Sequence, residues 1–187
     1  MEGGRPSAPR PPKILVLGVG NILLKDEGAG VRVAEKLAET YEFSDNVEVM
    51  DGGTLGLRLI DPISQAARLI VVDAALCGGS PGDIFRLGGE GLRRCRMDRN
   101  SMHDLSLEDV LGMAALLGAR PEAVVLGIEP ADITPFGLEL TEPVARRLPD
   151  LLGEVLKEIA AAGGSFRRRK APRRGKGGDW HVSGRPG

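Results

Sequence analysis

Aromatic side chains are scarce in this sequence, at 3% of residues, so the hydrophobic core has to be built from aliphatic side chains. No apolar run approaches the roughly 18 residues that a membrane-spanning helix needs. Residues 1–13 contain Pro and Arg but lack the apolar segment that precedes cleavage in a signal peptide. We therefore expect a soluble cytoplasmic protein with no membrane partner.

Residues with reactive side chains are also few. The two cysteines, Cys77 and Cys95, make no disulfide framework, and we interpret them as reduced thiols of a cytoplasmic protein. Outside the C-terminal tail, His103 is the only histidine. The G-x-S-x-G pattern of a nucleophile elbow and the H-E-x-x-H pattern of zinc peptidases are both absent.

The formal net charge of -1 conceals an asymmetry along the chain. The segment from Gly164 onward contains eight basic residues and one acid, which leaves 17 bases against 25 acids in the remainder. An acidic body is not typical of a nucleic-acid-binding protein. We expect a disordered segment over 1–12, a single domain over 13–162 and a basic disordered tail over 163–187.

The hydrophobic pattern alternates between strands and helices. Apolar runs predict buried strands, and spacings of three and four predict amphipathic helices. The predicted strands are 13–19, 46–50, 68–72, 83–87 (an edge strand) and 123–128. The predicted helices are 27–41, 55–66, one beginning near Ser106, and 141–162 with a kink or restart at Pro149. This order predicts a single doubly wound α/β domain with helices on both faces of a mostly parallel sheet.

A glycine-containing turn follows the first strand and invites comparison with dinucleotide-binding folds. The fingerprint G-x-G-x-x-G needs a third glycine, but Leu23 stands in that place after Gly18 and Gly20. Asp26 and Glu27 then put negative charge where a pyrophosphate would lie. The sequence therefore argues against a phosphate-binding role for this turn.

Acidic residues follow three of the predicted strands. The first strand leads to Asp26 and Glu27, the second ends in Asp51, and the third ends in Asp73. The carboxyl ends of parallel strands share one edge of a sheet, so these side chains are predicted to converge there. If the loop containing His103 folds over that edge, the mixed carboxylate and imidazole set suits a borderline divalent metal such as nickel or zinc.

Each of these residues also has a simpler explanation. Glu27 lies in the first turn of a predicted helix, where the helix dipole favours an acid. Asp51 and Asp73 are also explained as strand-ending or helix-capping acids, and a lone loop histidine such as His103 is usually not a ligand. Cys77 lies near Asp73 and remains open as a soft ligand.

Several motifs taken together resemble the hydrogenase maturation endopeptidases, over roughly residues 13–162. The matching segments are Ile14-Leu-Val-Leu-Gly-Val-Gly-Asn-Ile-Leu-Leu-Lys-Asp-Glu27, Gly28-Ala-Gly-Val-Arg32, Asp51-Gly-Gly-Thr-Leu-Gly56, Ile70-Val-Val-Asp-Ala74, Pro81-Gly82, His103-Asp-Leu-Ser-Leu-Glu-Asp-Val-Leu111, Gly127-Ile-Glu-Pro130 and Leu140-Thr141. The chain departs from the family pattern at Asp104 and Ser106, where a Gln and a Gly are expected, and in the Arg-rich segment 88–100.

The resemblance implies a three-layer fold, with a twisted five-stranded sheet between helices. It implies an aspartic-type peptidase, a monomer, that removes a C-terminal peptide from the precursor of a nickel–iron hydrogenase large subunit. Glu27, Asp73 and His103 are then the nickel ligands, and the nickel is supplied by the precursor. Asp73 or Asp51 is the candidate catalytic acid that activates water. The alternative is a non-catalytic nickel- or nucleotide-binding module on the same α/β layer.

Overall fold

A five-stranded sheet forms the centre of the protein. The computed structural model describes residues 11–54, 56–88, 95, 107–134 and 136–170. The strands of the central sheet lie in the spatial order β3-β1-β4-β6-β5, and β5 alone runs antiparallel to its neighbour. Their bounds are β1 Ile14–Val19, β3 Val47–Gly53, β4 Arg68–Ala74, β5 Ile84–Gly88 and β6 Glu122–Ile128. The predicted mostly parallel, five-stranded α/β fold is therefore confirmed.

Helices cover both faces of this sheet and form two separate cores. The helices are α1 Ala29–Thr40, α2 Ile60–Gln65, α3 Leu107–Leu116 and α4 Glu142–Ala161. Along β1, Ile14 and Val16 pack toward α1 and α4, whereas Leu15 and Leu17 pack toward α2 and α3. Because alternate residues of a strand point to opposite faces, a run that is apolar at every position is buried on both sides.

Two short 3₁₀ helices precede α1 and α2, at Lys25–Gly28 and Leu57–Leu59. The predicted helix 27–41 is thus a 3₁₀ turn that continues into α1. Of the two alternatives predicted at Pro149, a kink or a restart, the restart is wrong, because α4 continues through Pro149 as one helix. The predicted loop 88–100 lies outside the described residues except Gly88, which ends β5, and Cys95. Ser106, the predicted helix cap, also lies outside them.

A second, two-stranded sheet was not expected from the sequence. It pairs β2 Tyr41–Phe43 with β7 Phe166–Arg168 in antiparallel orientation. The Phe166 ring meets the Tyr41 ring edge-on at a centroid distance of 5.6 Å. Arg167 forms an ion pair with Glu42.

The prediction of a disordered tail from residue 163 is therefore wrong for 163–170. The basic composition of this segment suggested disorder, but Phe166 packs against Tyr41, and Arg167 and Arg169 pair with Glu42. Residues 171–187, and 1–10 at the other end, lie outside the described part of the chain. Among the described helices, none combines the length and apolar character required to cross a membrane.

Gly30, in the first turn of α1, allows this helix to approach the sheet closely. A Cβ atom at this position would overlap the carbonyl oxygens of Val19 and Val72, which belong to β1 and β4. The absence of a side chain therefore lets the start of α1, and the 3₁₀ helix before it, lie directly against the ends of two strands.

We predict that Gly30→Ala lowers the free energy of unfolding by about 3 kcal/mol or more, because backbone atoms have to move apart. Gly112→Ala is the matched control, since Gly112 is also helical but has open space around its Cβ position. This control is expected to raise stability by about 0.5–1 kcal/mol. Urea unfolding of both variants measures the difference, and equal effects would contradict the close approach.

Candidate active site at the carboxyl edge of the sheet

The carboxyl ends of four parallel strands deliver acidic side chains to one edge of the sheet. Asp51 lies near the end of β3 and pairs with Gly18 of β1. Asp73 lies one residue before the end of β4. Glu27 lies in the 3₁₀ helix that follows β1 and contacts β4. The predicted convergence of strand-end carboxylates at this edge therefore agrees with the strand order.

Asp26 is the most deeply buried of these acids, with no exposed surface. One carboxylate oxygen accepts the Thr141 backbone N–H at 2.7 Å. The other accepts the N–H groups of Ala131 and Asp132 and the Thr141 hydroxyl, at 2.8–3.0 Å. A carboxylate that accepts four hydrogen bonds offsets its desolvation and holds its donors in place. Asp26 thus binds the 3₁₀ helix that carries Glu27 to the loop 129–141.

A second set of contacts joins these two segments. Lys25 forms an ion pair with Asp132 and donates a hydrogen bond to Thr134. The hydrogen bond from Lys25 lowers the pKa of Asp132 to about 2, so this carboxylate stays charged at any physiological pH. Lys25 also donates its backbone N–H to the carbonyl of Gly137 at 2.8 Å. The position of Glu27 is consequently set by tertiary contacts on both sides of it.

Glu129, which directly follows β6, organises the turn after Asp73. Its side chain is 5% exposed and accepts the backbone N–H groups of Cys77 and Gly79, at 2.9 and 3.1 Å. Its carbonyl also accepts the Gly82 N–H at 2.8 Å. The sequence argument overlooked Glu129, although its place after an apolar run was the same signal that identified Asp73.

The glycine turn after β1 is occupied by internal hydrogen bonds. Six backbone N–H groups in this turn donate hydrogen bonds to oxygen atoms of the protein. The donors are the N–H groups of Gly20, Leu23, Leu24, Lys25, Asp26 and Glu27. Gly20 has φ +130°, and a Cβ atom there would overlap the carbonyl of Glu27. A phosphate cradle needs free N–H groups, so this geometry agrees with the sequence argument against nucleotide binding.

The predicted metal ligands are only partly described. Glu27 is half-buried, Asp73 is buried, and both have interactions with other groups of the protein. His103 lies outside the described residues. Within 11–54, 56–88, 95, 107–134 and 136–170, no three His, Cys, Asp or Glu side chains cluster closely enough to hold a metal ion. The proposed set therefore stays a prediction that depends on His103.

Asp51 differs from the other acids in being exposed. Its side chain accepts the Gly53 N–H at 2.8 Å, which forms a local turn at the end of β3. The nearby Glu35 of α1 has its pKa raised, chiefly by burial, and the negative charge of Asp51 adds to that effect. Asp51 and Asp73 lie on strands that flank β1 on opposite sides.

The prediction of reduced cysteines is wrong, because Cys77 and Cys95 form a disulfide bond. Their Cα atoms are 4.4 Å apart, a distance that such a bond allows. Two cysteines 18 residues apart provide no spacing signal, and only folding brings them together. With its sulfur in a disulfide, Cys77 is not available as the soft metal ligand that the sequence left open.

The protein is thus an α/β domain with five acids at the carboxyl edge of its sheet. Two of them, Asp26 and Glu129, bind loops, and the other three are Glu27, Asp51 and Asp73. A family model described as hydrogenase maturation protease matches residues 31–158. The chain is 42% identical over 154 residues to the hydrogenase expression/formation protein HupM of Azotobacter chroococcum, covering 81% of this chain and 74% of that relative. It is 37% identical to the hydrogenase 2 maturation protease of Escherichia coli, covering 81% of this chain and 93% of that relative.

Solved structures agree with this assignment. The hydrogenase maturating endopeptidase HybD from E. coli superimposes with a TM-score of 0.76 at 35% identity, covering 84% of this chain and 98% of that structure. The chain therefore belongs to the hydrogenase maturation protease family. The resemblance inferred from the sequence motifs is confirmed.

We predict that Asp26→Asn lowers the free energy of unfolding by about 3 kcal/mol, because the new amide N–H₂ would face backbone donors that now share a carboxylate. Asp51→Asn is the matched control. Its exposed side chain keeps an oxygen for the Gly53 N–H, so the change should be about 0.5 kcal/mol or less. Chemical denaturation measures both variants, and a small effect at Asp26 would mean that its four hydrogen bonds do not hold the loop.

Proposed function

We propose that this protein is an endopeptidase that removes the C-terminal peptide from the precursor of a nickel–iron hydrogenase large subunit. Nickel already inserted in the precursor is, in this proposal, the signal that the peptidase recognises. Family membership supports the peptidase activity. One structural neighbour, a NiFe hydrogenase maturation protease from Thermococcus kodakarensis with a TM-score of 0.64 at 25% identity, supports the hydrogenase class.

The observation that carries the proposal is the position of Glu27 and Asp73 at one open edge of the sheet. The 3₁₀ helix of Glu27 contacts β4, which contains Asp73. Asp26 and Glu129 hold the loops on either side of these residues. Acids that share an edge without sharing a sequence segment are typical of an active site in an open α/β fold.

The donor chemistry of the candidate ligands suits nickel as part of the substrate. Two carboxylates, from Glu27 and Asp73, and the imidazole of His103 form a mixed oxygen and nitrogen set that fits a borderline divalent cation. Three protein ligands leave coordination positions for groups of the precursor. The metal in this scheme arrives with the precursor, so the peptidase needs no permanently bound ion.

Hydrolysis of the peptide bond requires a base that accepts a proton from the attacking water. Asp73 and Asp51 are the candidates, in agreement with an aspartic-type class. We assign this role to Asp51, because Asp73 is buried and is already used as a ligand, whereas Asp51 is exposed at the same edge. The Gly53 N–H fixes the orientation of the Asp51 carboxylate.

The proposal includes a monomeric enzyme that acts in the cytoplasm. Disulfide bonds are rare in the cytoplasm, so the bond between Cys77 and Cys95 is the observation that counts against this location. Sedimentation of the purified chain and fractionation of cells test the two statements separately.

We predict that Glu27→Gln, Asp73→Asn and His103→Ala each abolish processing of a nickel-loaded precursor while the protein stays folded. Each change removes a ligand that the proposed nickel contact needs. The measurement is the intact mass of the precursor before and after incubation, with and without nickel. Asp150→Asn is the matched control, because Asp150 is an exposed acid paired with Arg147 on α4.

Loss of a C-terminal peptide only in the presence of nickel is the expected result for the unchanged protein and for the Asp150 variant. Processing at the normal rate by all three site variants would refute the ligand assignment. Processing of a nickel-free precursor would refute recognition of the metal but leave the peptidase activity standing.

We predict that Asp51→Asn lowers kcat about 100-fold or more and changes KM little, because a general base acts on the transition state and not on binding. Steady-state cleavage of the nickel-loaded precursor provides both constants. Normal kcat in this variant would contradict the assignment and transfer the base role to Asp73.

A further inference from the structure

An exposed apolar surface lies beside the candidate active site. It consists of large side chains from two loops, and we call it the apolar loop patch; its members are Ile22, Leu23, Phe136 and Leu138. Phe136 is 95% exposed, Leu138 61% and Leu23 54%. Single exposed apolar residues need no explanation, but a group on adjacent loops marks a candidate binding surface.

Backbone hydrogen bonds join the two loops of the patch directly. Gly137 donates its N–H to the carbonyl of Leu23 at 3.0 Å and accepts the Lys25 N–H at 2.8 Å. Leu24 and Gly137 form a parallel β-bridge. Because Phe136 and Leu138 flank Gly137 in the chain, their backbone lies next to the segment that contains Leu23.

Phe136 is exposed on a loop that hydrogen bonds to other parts of the protein hold in place. Asp26 binds three residues of the loop 129–141, and Arg32 donates a hydrogen bond to the carbonyl of Leu138. Phe136 itself has φ +66°, a left-handed conformation that bulky residues rarely adopt. A left-handed backbone at a bulky residue costs folding free energy, and such features concentrate at functional sites.

Two basic side chains beside the patch contact other groups of the protein. Lys25 is paired with Asp132, and one guanidinium nitrogen of Arg32 is used by Leu138. The four members of the patch are themselves uncharged, so the patch presents aromatic and aliphatic surface. This composition suits an apolar surface of a folded protein better than a nucleic acid or a highly charged peptide.

The patch is also continuous with the proposed site. Leu23 precedes Glu27 by four residues, and the 3₁₀ helix that contains Glu27 is the same segment that pairs with Gly137. A protein substrate whose peptide bond reaches Glu27 and Asp73 must cover this edge. Aromatic anchors that enter a partner surface commonly dominate such binding.

Resting on the proposed function, we infer that the apolar loop patch is the docking surface for the hydrogenase large-subunit precursor. Phe136 is its central anchor, and Leu23 and Leu138 surround it. The patch then contributes to affinity for the folded precursor, whereas Glu27 and Asp73 contribute to recognition of the metal at the peptide bond.

The test replaces Phe136 by Asn, which removes the ring and suits a left-handed backbone, so the fold is retained. We expect Phe136→Asn to weaken binding of the nickel-loaded precursor about tenfold or more, as loss of a buried aromatic side chain predicts. The KM should rise by the same factor with kcat unchanged, and the thermal midpoint should stay the same or increase. Leu116→Asn is the matched control, since Leu116 is 88% exposed on α3.

Binding is measured by biolayer interferometry on immobilised precursor, with Glu27→Gln as a third variant. Two results together support the docking surface. The Glu27→Gln variant binds the precursor but does not cleave it, and the Phe136→Asn variant binds weakly but cleaves at saturating precursor. Unchanged affinity of Phe136→Asn overturns it, as does failure of the unchanged protein to bind the precursor. Self-association of the unchanged protein that Phe136→Asn abolishes would also overturn it, in favour of a second copy of this chain. Failure of cleavage with binding intact would instead overturn only the proposed activity.

Discussion

The buried carboxylate of Asp26 is the interaction on which the site depends most. It has no exposed surface and accepts four hydrogen bonds from residues more than 100 positions later in the chain. A buried charge is tolerated only where donors surround it, so the loop 129–141 has to close over the 3₁₀ helix Lys25–Gly28 when the protein folds. That closure positions Glu27 at the sheet edge and fixes the loop that carries Phe136.

The acids at the carboxyl edge consequently have two kinds of role. Asp26 and Glu129 face inward and bind backbone N–H groups of the loops around the site. Glu27, Asp73 and Asp51 are the residues left for chemistry in the proposed endopeptidase. The same strand-end pattern in the sequence contains both kinds. Hydrogen bonds to backbone N–H groups of distant loops identify Asp26 and Glu129 as the pair that holds loops. Asp26 also links the site to the apolar loop patch, because it precedes Glu27 in the chain and binds the loop that carries Phe136 and Leu138.

Much of the fold was predictable because its signals are local. The apolar runs of β1 and β4 have the pattern of strands buried on both faces, and the helical spacing of α1 and α4 is equally clear. The two-stranded sheet was missed because β2 and β7 are three residues each and lie about 125 positions apart. Pro149 was predicted to kink α4 or restart it, and no restart occurs, because a helix that packs Leu148 and Leu151 into the core continues through it.

The candidate site was predictable in outline, because carboxyl ends of parallel strands share an edge and Asp51, Asp73 and Glu27 follow such strands. The sequence alone determined the α/β class, the family resemblance and this set of acids. Tertiary structure decided that Asp26 and Glu129 hold loops, that Cys77 and Cys95 are bonded, and that Phe136 is exposed in a left-handed conformation. These outcomes depend on contacts between residues distant in the chain, and no local periodicity or spacing encodes them.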